Sequence, residues 1–118
     1  MIDIDPIDKT LGNNLRFLRL MRGLTQSEVG KILGVTFQQV QKYEQGNNRI
    51  SARTLCKLRH VFHVEYQDFF TPIRDHPIPA TDNEQDKLII SAVRHLSAIP
   101  SLQKKRTIVS IIKELAKE

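Results

Sequence analysis

The sequence predicts an all-α fold in two parts: a five-helix domain over residues 10–70 and a C-terminal helical hairpin over residues 82–118, joined by a linker at 71–81. Three observations predict it. Apolar residues return at three- and four-residue steps through most of the chain, the spacing at which side chains share one face of a helix. Residues able to cap a helix precede those stripes, and glycines follow several of them. Pro72, Pro77 and Pro79 fall close together, and each removes an amide donor and pushes its predecessor toward extended backbone.

Helix one follows from Leu11, Leu15, Leu18 and Arg22, a stripe beginning near Thr10 and ending against Gly23, a left-handed C-cap. Thr25, Gln26, Ser27 and Glu28 spell a capping box ahead of Val29, Ile32 and Leu33, so helix two spans about 26–33. Gly34 and Val35 make a short turn. Thr36 caps a third helix whose inner side is Val40 and Tyr43 and which Gly46 stops; a polar loop, Asn47 to Ile50, follows. Ser51 caps a fourth helix carrying Leu55, Leu58, Val61 and Phe62, and an aromatic segment, Glu65 to Phe70, forms the fifth. Cys56 is a lone cysteine, unable to close an internal disulfide, and reads as a packing side chain beside Leu55 and Leu58.

In the hairpin, Asp82 caps a helix bearing Ile89, Val93 and Leu96; after Pro100, Ser101 caps another bearing Ile108, Ile111, Ile112 and Leu115. Two helices alone bury too little surface to offset an ordering entropy of about 1–2 kcal/mol per residue. Their apolar faces need a partner, so Ile89, Val93, Leu96, Ile108, Ile112 and Leu115 are expected to pair between subunits.

Composition narrows the function classes. The chain is 40% hydrophobic and 26% charged, an ordinary globular balance. No apolar run approaches the roughly 18 residues that span a bilayer, and three aspartates among Met1 to Lys9 exclude a secretory or transit signal there. A cytoplasmic location with no membrane partner is expected. The net charge is +5, and residues 9–71 alone hold ten Lys and Arg against four Asp and Glu, or +6, so the positive charge sits in the first domain. That suits phosphate backbones or acidic surfaces.

Nothing assembles into a catalytic set. His60 and His63 are three residues apart, but no Cys, Asp or further His supports a metal site. His76 and His95 join no nucleophile arrangement, and paired carboxylates, a phosphate-cradling glycine loop and a zinc-protease helix are missing. The expectation is therefore no catalytic residue, no metal and no cofactor. Lys104, Lys105 and Arg106 read as solvated charge at the start of the last helix.

The most specific signal lies between Gln26 and Glu44. Two short helices crossing over a tight turn need apolar residues where they face the core, a small one where they approach, and a turn-permitting one between them. Val29, Leu33, Val35, Val40 and Tyr43 supply the first, Gly30 the second and Gly34 the third. The segment LTQSEVGKILGVTFQQVQKYEQG, preceded by NNLRFLRLMRG, resembles the Cro and C1 repressor-like (xenobiotic response element) helix-turn-helix family over about residues 10–70. The resemblance implies a five-helix DNA-binding domain whose third helix, residues 36–45, enters the major groove of double-stranded DNA. It also implies a dimer on a pseudo-palindromic operator, and a transcriptional regulator; a repressor is expected, with activation left open.

With Val40 inward, a helical wheel points Gln38, Gln41, Lys42 and Gln45 outward. Glutamine bonds adenine bidentately and lysine bonds guanine, each good bidentate contact contributing about 1–3 kcal/mol of discrimination, so Gln38 and Lys42 lead as base readers, with Gln41. Phe37 either touches a thymine methyl or folds against the domain. Gln45 is assigned to the DNA backbone. The resemblance implies backbone contacts at Gln26 and Thr36, and an ion pair between Arg19 and Glu44 that either presents Arg19 to phosphate or is purely structural. Asn47, Asn48 and Arg49 either grip the phosphate chain or form a solvated turn; Arg16, Arg22 and Arg53 are weaker backbone candidates. The competing function is an antitoxin or other protein-interaction module that uses the hairpin for a protein partner. Homodimer and higher homo-oligomer both remain open.

Overall fold

The computed structural model describes residues 6–72 and 83–117, and all regular structure among them is helical. Helix α1 runs from Pro6 to Met21, α2 from Gln26 to Leu33, α3 from Phe37 to Glu44, α4 from Ala52 to Phe62 and α5 from Tyr66 to Phe70. Helices α6, Asn83–Ala98, and α7, Leu102–Ala116, complete the chain. The first helix starts four residues before the expected Thr10. Pro6 lacks only an N–H that a first turn leaves unpaired anyway, and Asp8 lies near the positive end of the helix dipole. Of the expected linker only Thr71 and Pro72 are described, and the Asp82 cap also lies outside the described residues.

The core of the first five helices is Leu11 and Leu15 of α1, Val29 and Leu33 of α2, Val40 and Tyr43 of α3, Leu58 and Phe62 of α4, and Phe69 of α5. Fully burying one such aliphatic or aromatic side chain contributes about 1.5–3 kcal/mol, more than the ~1 kcal/mol of a typical cap. Packing therefore holds the fold, and caps set where each helix begins. Buried Asn14 fastens the end of α5 to α1, its Nδ2 donating to the carbonyls of Phe69 at 2.6 Å and Thr71 at 3.0 Å. His63 ends α4 in the left-handed region, with φ 54°.

Cys56 is not a core residue. It is exposed on α4, its Sγ 2.9 Å from the Tyr66 hydroxyl, because Leu55 and Leu58 turn inward and Cys56 falls on the flank facing α5. Helix α6 packs on α1 with Asp86 bonded to Arg16 and Ile90 buried, and reaches the turn and α2 with Arg94, on Gly23 and Glu28, and with Val93 against Gly23. Its apolar residues Ile89, Val93 and Leu96, with Ile99, line a groove of about 430 Å³ that Ile108 and Ile112 of α7 close from the other side. Five of the six residues expected at a subunit contact thus share one groove; Leu115 stands apart, 78% exposed. No residue of α7 is buried.

Candidate nucleic-acid interface

The α2–turn–α3 unit is built from local bonds that its sequence dictates. Thr25 Oγ1 accepts from the Glu28 amide at 3.1 Å while Glu28 Oε1 accepts from the Thr25 amide at 2.9 Å, which closes the capping box. Gly34 takes φ 74°, and the chain re-enters a helix at Phe37 after Thr36 Oγ1 accepts from the Gln39 amide. A Cβ on Gly30 would lie 2.7 Å from the Val35 carbonyl oxygen, so only glycine permits this approach of turn to helix.

With Val40 and Tyr43 buried, α3 exposes Phe37, Gln38, Gln41 and Lys42, followed by Gln45 and Asn47; Gln39 is half-buried on the flank. Thr36 is exposed at the cap. Asn47 Nδ2 donates to Gln45 Oε1 at 3.0 Å, and the well-exposed Arg49 lies 3.8 Å from Asp8. A surface pair of that kind contributes at most about 1 kcal/mol, so Arg49 is only loosely held. Phe37 is 46% exposed and borders a hollow of about 220 Å³ shared with Arg19, Thr25, Gln26 and Ser27, and with Asp86, Lys87 and Ile90 from α6.

Behind this surface lies a buried charge network. Arg19 Nε donates to Glu44 Oε2 at 2.6 Å and Nη2 to Glu44 Oε1 at 3.0 Å, so the expected ion pair is a two-pronged one tying the end of α3 to α1. Arg19 Nη1 donates to the Leu24 carbonyl at 2.8 Å. Gln26 Nε2 donates to Glu44 Oε1 at 3.1 Å, which ties the start of α2 to the same carboxylate. Asp86 of α6 adds the remainder: its Oδ1 accepts from Arg16 Nη2 at 2.6 Å, and its Oδ2 lies 3.4 Å from Arg19 Nη2. Arg16 is therefore a buried partner of Asp86 and not a surface cation. Arg22 donates to the Phe62 carbonyl at 2.8 Å, closing the end of α4.

Sequence reasoning did not find Asn14, Gly12, Asp86 or Arg94. Gly12 packs directly on the carbonyls of Tyr43 and Glu44 in α3, where any Cβ would collide with backbone. Its signal in the sequence is a glycine inside an otherwise good helix, a position that costs about 1 kcal/mol against alanine unless close packing requires it. Asp86, Ile90 and Arg94 have helical spacing, but a stripe with one apolar residue in three looks solvated.

Arg94 makes the second fastening of α6, with Nη2 2.6 Å from Glu28 Oε1 and Nε donating to the Gly23 carbonyl at 2.8 Å. The Thr25 backbone amide, seconded by the Thr25 hydroxyl and the Arg94 charge, holds the Glu28 carboxyl below its ordinary pKa of 4.5, against a smaller opposing effect of burial. A carboxyl depressed on folding contributes stability in full above the unfolded pKa and loses it as pH falls through the folded one. Glu28→Gln is accordingly expected to melt below the wild type at neutral pH and to converge with it as the pH falls below 4.5 and through the depressed pKa of the folded state. A gap of the same size in acid, measured by thermal denaturation, would contradict this.

No helix among the described residues is long and apolar enough to cross a membrane. A helix-turn-helix family profile matches residues 15–69, which span α2, α3 and the packing helices around them. An uncharacterized HTH-type transcriptional regulator of Sinorhizobium medicae is 42% identical over 66 residues, covering 56% of this chain and 48% of its own length, so the chain spans about half of that relative. One of Rickettsia prowazekii is 30% identical over 114 residues, covering 96% of this chain and 88% of its own. Among solved structures, the clp gene regulator ClgR of Corynebacterium glutamicum shares the fold with a TM-score of 0.53 at 15% identity, over 97% of this chain and 98% of that one.

Proposed function

The chain belongs to the Cro/C1-type helix-turn-helix family, and we propose that it is a DNA-binding transcriptional regulator, a repressor, acting by binding rather than catalysis in the cytoplasm. The observation that carries this reading is the exposed polar face of α3, held in place by the buried pairing of Glu44 with Arg19. In this reading α3 lies in the major groove with Gln38 and Lys42 reading base edges, supported by Gln41 and Phe37. The start of α2 at Gln26, Thr36, Gln45, Asn47 and Arg49 meets phosphates. Affinity then falls with salt as counterions leave the DNA.

Selection of bound sequences from a random DNA pool tests it directly. Against the selected duplex, Gln38→Ala and Lys42→Ala should each lose about 1–3 kcal/mol of discrimination at one position. Arg49→Ala should weaken all sequences alike and lower the salt slope by about one. If both base-face variants keep the wild-type preference, the reading face has been wrongly assigned.

The groove between α6 and α7 supports a homodimer as the working unit, two hairpins packing Ile89, Val93, Leu96, Ile108, Ile112 and Leu115 against each other. Ile111 and Ile112 are 54% and 51% exposed, apolar area that a second copy would remove from water. Two-fold symmetry would set the two α3 helices about 34 Å apart, one DNA turn, or a multiple of it. Ile112→Asp is expected to convert a dimer into a monomer in light scattering; a wild type that is already monomeric at micromolar concentration would overturn the dimer.

A further inference from the structure

Arg19 is the largest wholly buried side chain of the described protein, although it borders the hollow that opens beside Thr25, Gln26, Ser27 and Phe37. Asp86, Lys87 and Ile90 of α6 form the other wall. We propose that α6 is an autoinhibitory strap. The Asp86 carboxylate occupies, between Arg16, Arg19 and the first turn of α2, the anionic position that a DNA phosphate would take, so that a duplex and α6 compete for the same edge of the domain. The inference rests on the reading of the chain as a DNA-binding regulator.

The chemistry favours exchange. Arginine recognises a phosphate with the same donors it offers a carboxylate, and the amides opening α2 beyond its cap face outward, as at any helix start. The way α6 is attached points the same way. A permanent core helix buries its apolar stripe, whereas α6 lines the groove facing α7 with Ile89, Val93 and Leu96 and holds the domain with Ile90, an edge of Val93 against Gly23, and two ionic fastenings, Asp86 and Arg94. The hairpin can lift as a unit, keeping its α6–α7 groove and giving up Ile90, the Val93 contact at Gly23 and two charge pairs, of which a phosphate replaces the one Asp86 makes with Arg16 and Arg19.

The two fastenings carry opposite charges, which makes the test decisive. Binding of a short fluorescent duplex of random sequence is measured by anisotropy for the wild type, Asp86→Ala and Arg94→Ala, with Glu114→Ala on α7 as a control for charge alone. Release of the strap should tighten binding about tenfold or more in both Asp86→Ala and Arg94→Ala, even though Arg94→Ala removes a positive charge, and Glu114→Ala should stay close to the wild type. Weaker or equal binding by a folded Arg94→Ala overturns the strap. Should either variant fail to fold, the distance between spin labels at the exposed positions Ser97 on α6 and Lys31 on α2 decides: a distance that lengthens when duplex saturates the protein supports the strap, and one that does not change refutes it. If neither wild type nor variants bind any duplex, the regulator reading itself falls, an outcome distinct from binding with α6 still docked.

Discussion

Glu44→Ala should be among the most damaging single substitutions, lowering folding stability by about 3–5 kcal/mol, the cost of leaving a buried charge without its partner. Arg19 and Glu44 side chains are 1% and 3% exposed, so the guanidinium left behind has little solvent to replace the lost carboxylate. Asp86 compensates weakly, because it reaches Arg19 at 3.4 Å and spends its shorter bond on Arg16. Gln26 loses its acceptor in the same step, which loosens the start of α2. A small domain has only about 5–15 kcal/mol in total, so the melting temperature should fall by roughly 10 °C or more. The pair Arg19→Met with Glu44→Leu, which removes both charges and refills the space, should lose much less than Glu44→Ala. A Glu44→Ala midpoint within about 2 °C of the wild type would show that the network contributes nothing to stability.

Gly12→Val should cost about 3 kcal/mol, the upper end of the overpacking range. A Cβ at Gly12 meets the carbonyls of Tyr43 and Glu44, backbone atoms that cannot rotate aside, so α1 and α3 must separate. Moving α3 away from α1 would stretch the Arg19–Glu44 pair formed at the same crossing. The effect should therefore exceed that of Val at an exposed helical site such as Gln41, where only propensity, a few tenths of a kcal/mol, is lost. Urea denaturation of the two variants side by side checks this, and equal midpoints would mean that the crossing relaxes freely.

Much of the first domain was legible because its determinants are local. The Thr25 and Ser51 caps, the turn at Gly34 and the inward Val40 and Tyr43 each follow from residues within one or two turns of each other, and the structure carries them as expected. The outward set Gln38, Gln41, Lys42 and Gln45 follows from the same geometry, since burying one side of a short helix fixes the other. Helix-by-helix patterns misplaced Cys56, because a cysteine next to buried leucines reads as apolar whichever way the helix turns.

The order of the helices, the limits of most of them, the helix-turn-helix and the exposed face of α3 are written in short stretches of chain. That Gly12 is a contact point, that Arg16 and Arg19 are buried, and that α6 docks through Asp86, Ile90, Val93 and Arg94 emerges only once the helices are packed together. The reason is physical. Capping and amphipathic periodicity act over a few residues and are written in each segment, whereas whether a charged stripe is solvated or buried depends on complementary charges elsewhere, and those facing Asp86 lie on α1, up to 70 residues away along the chain.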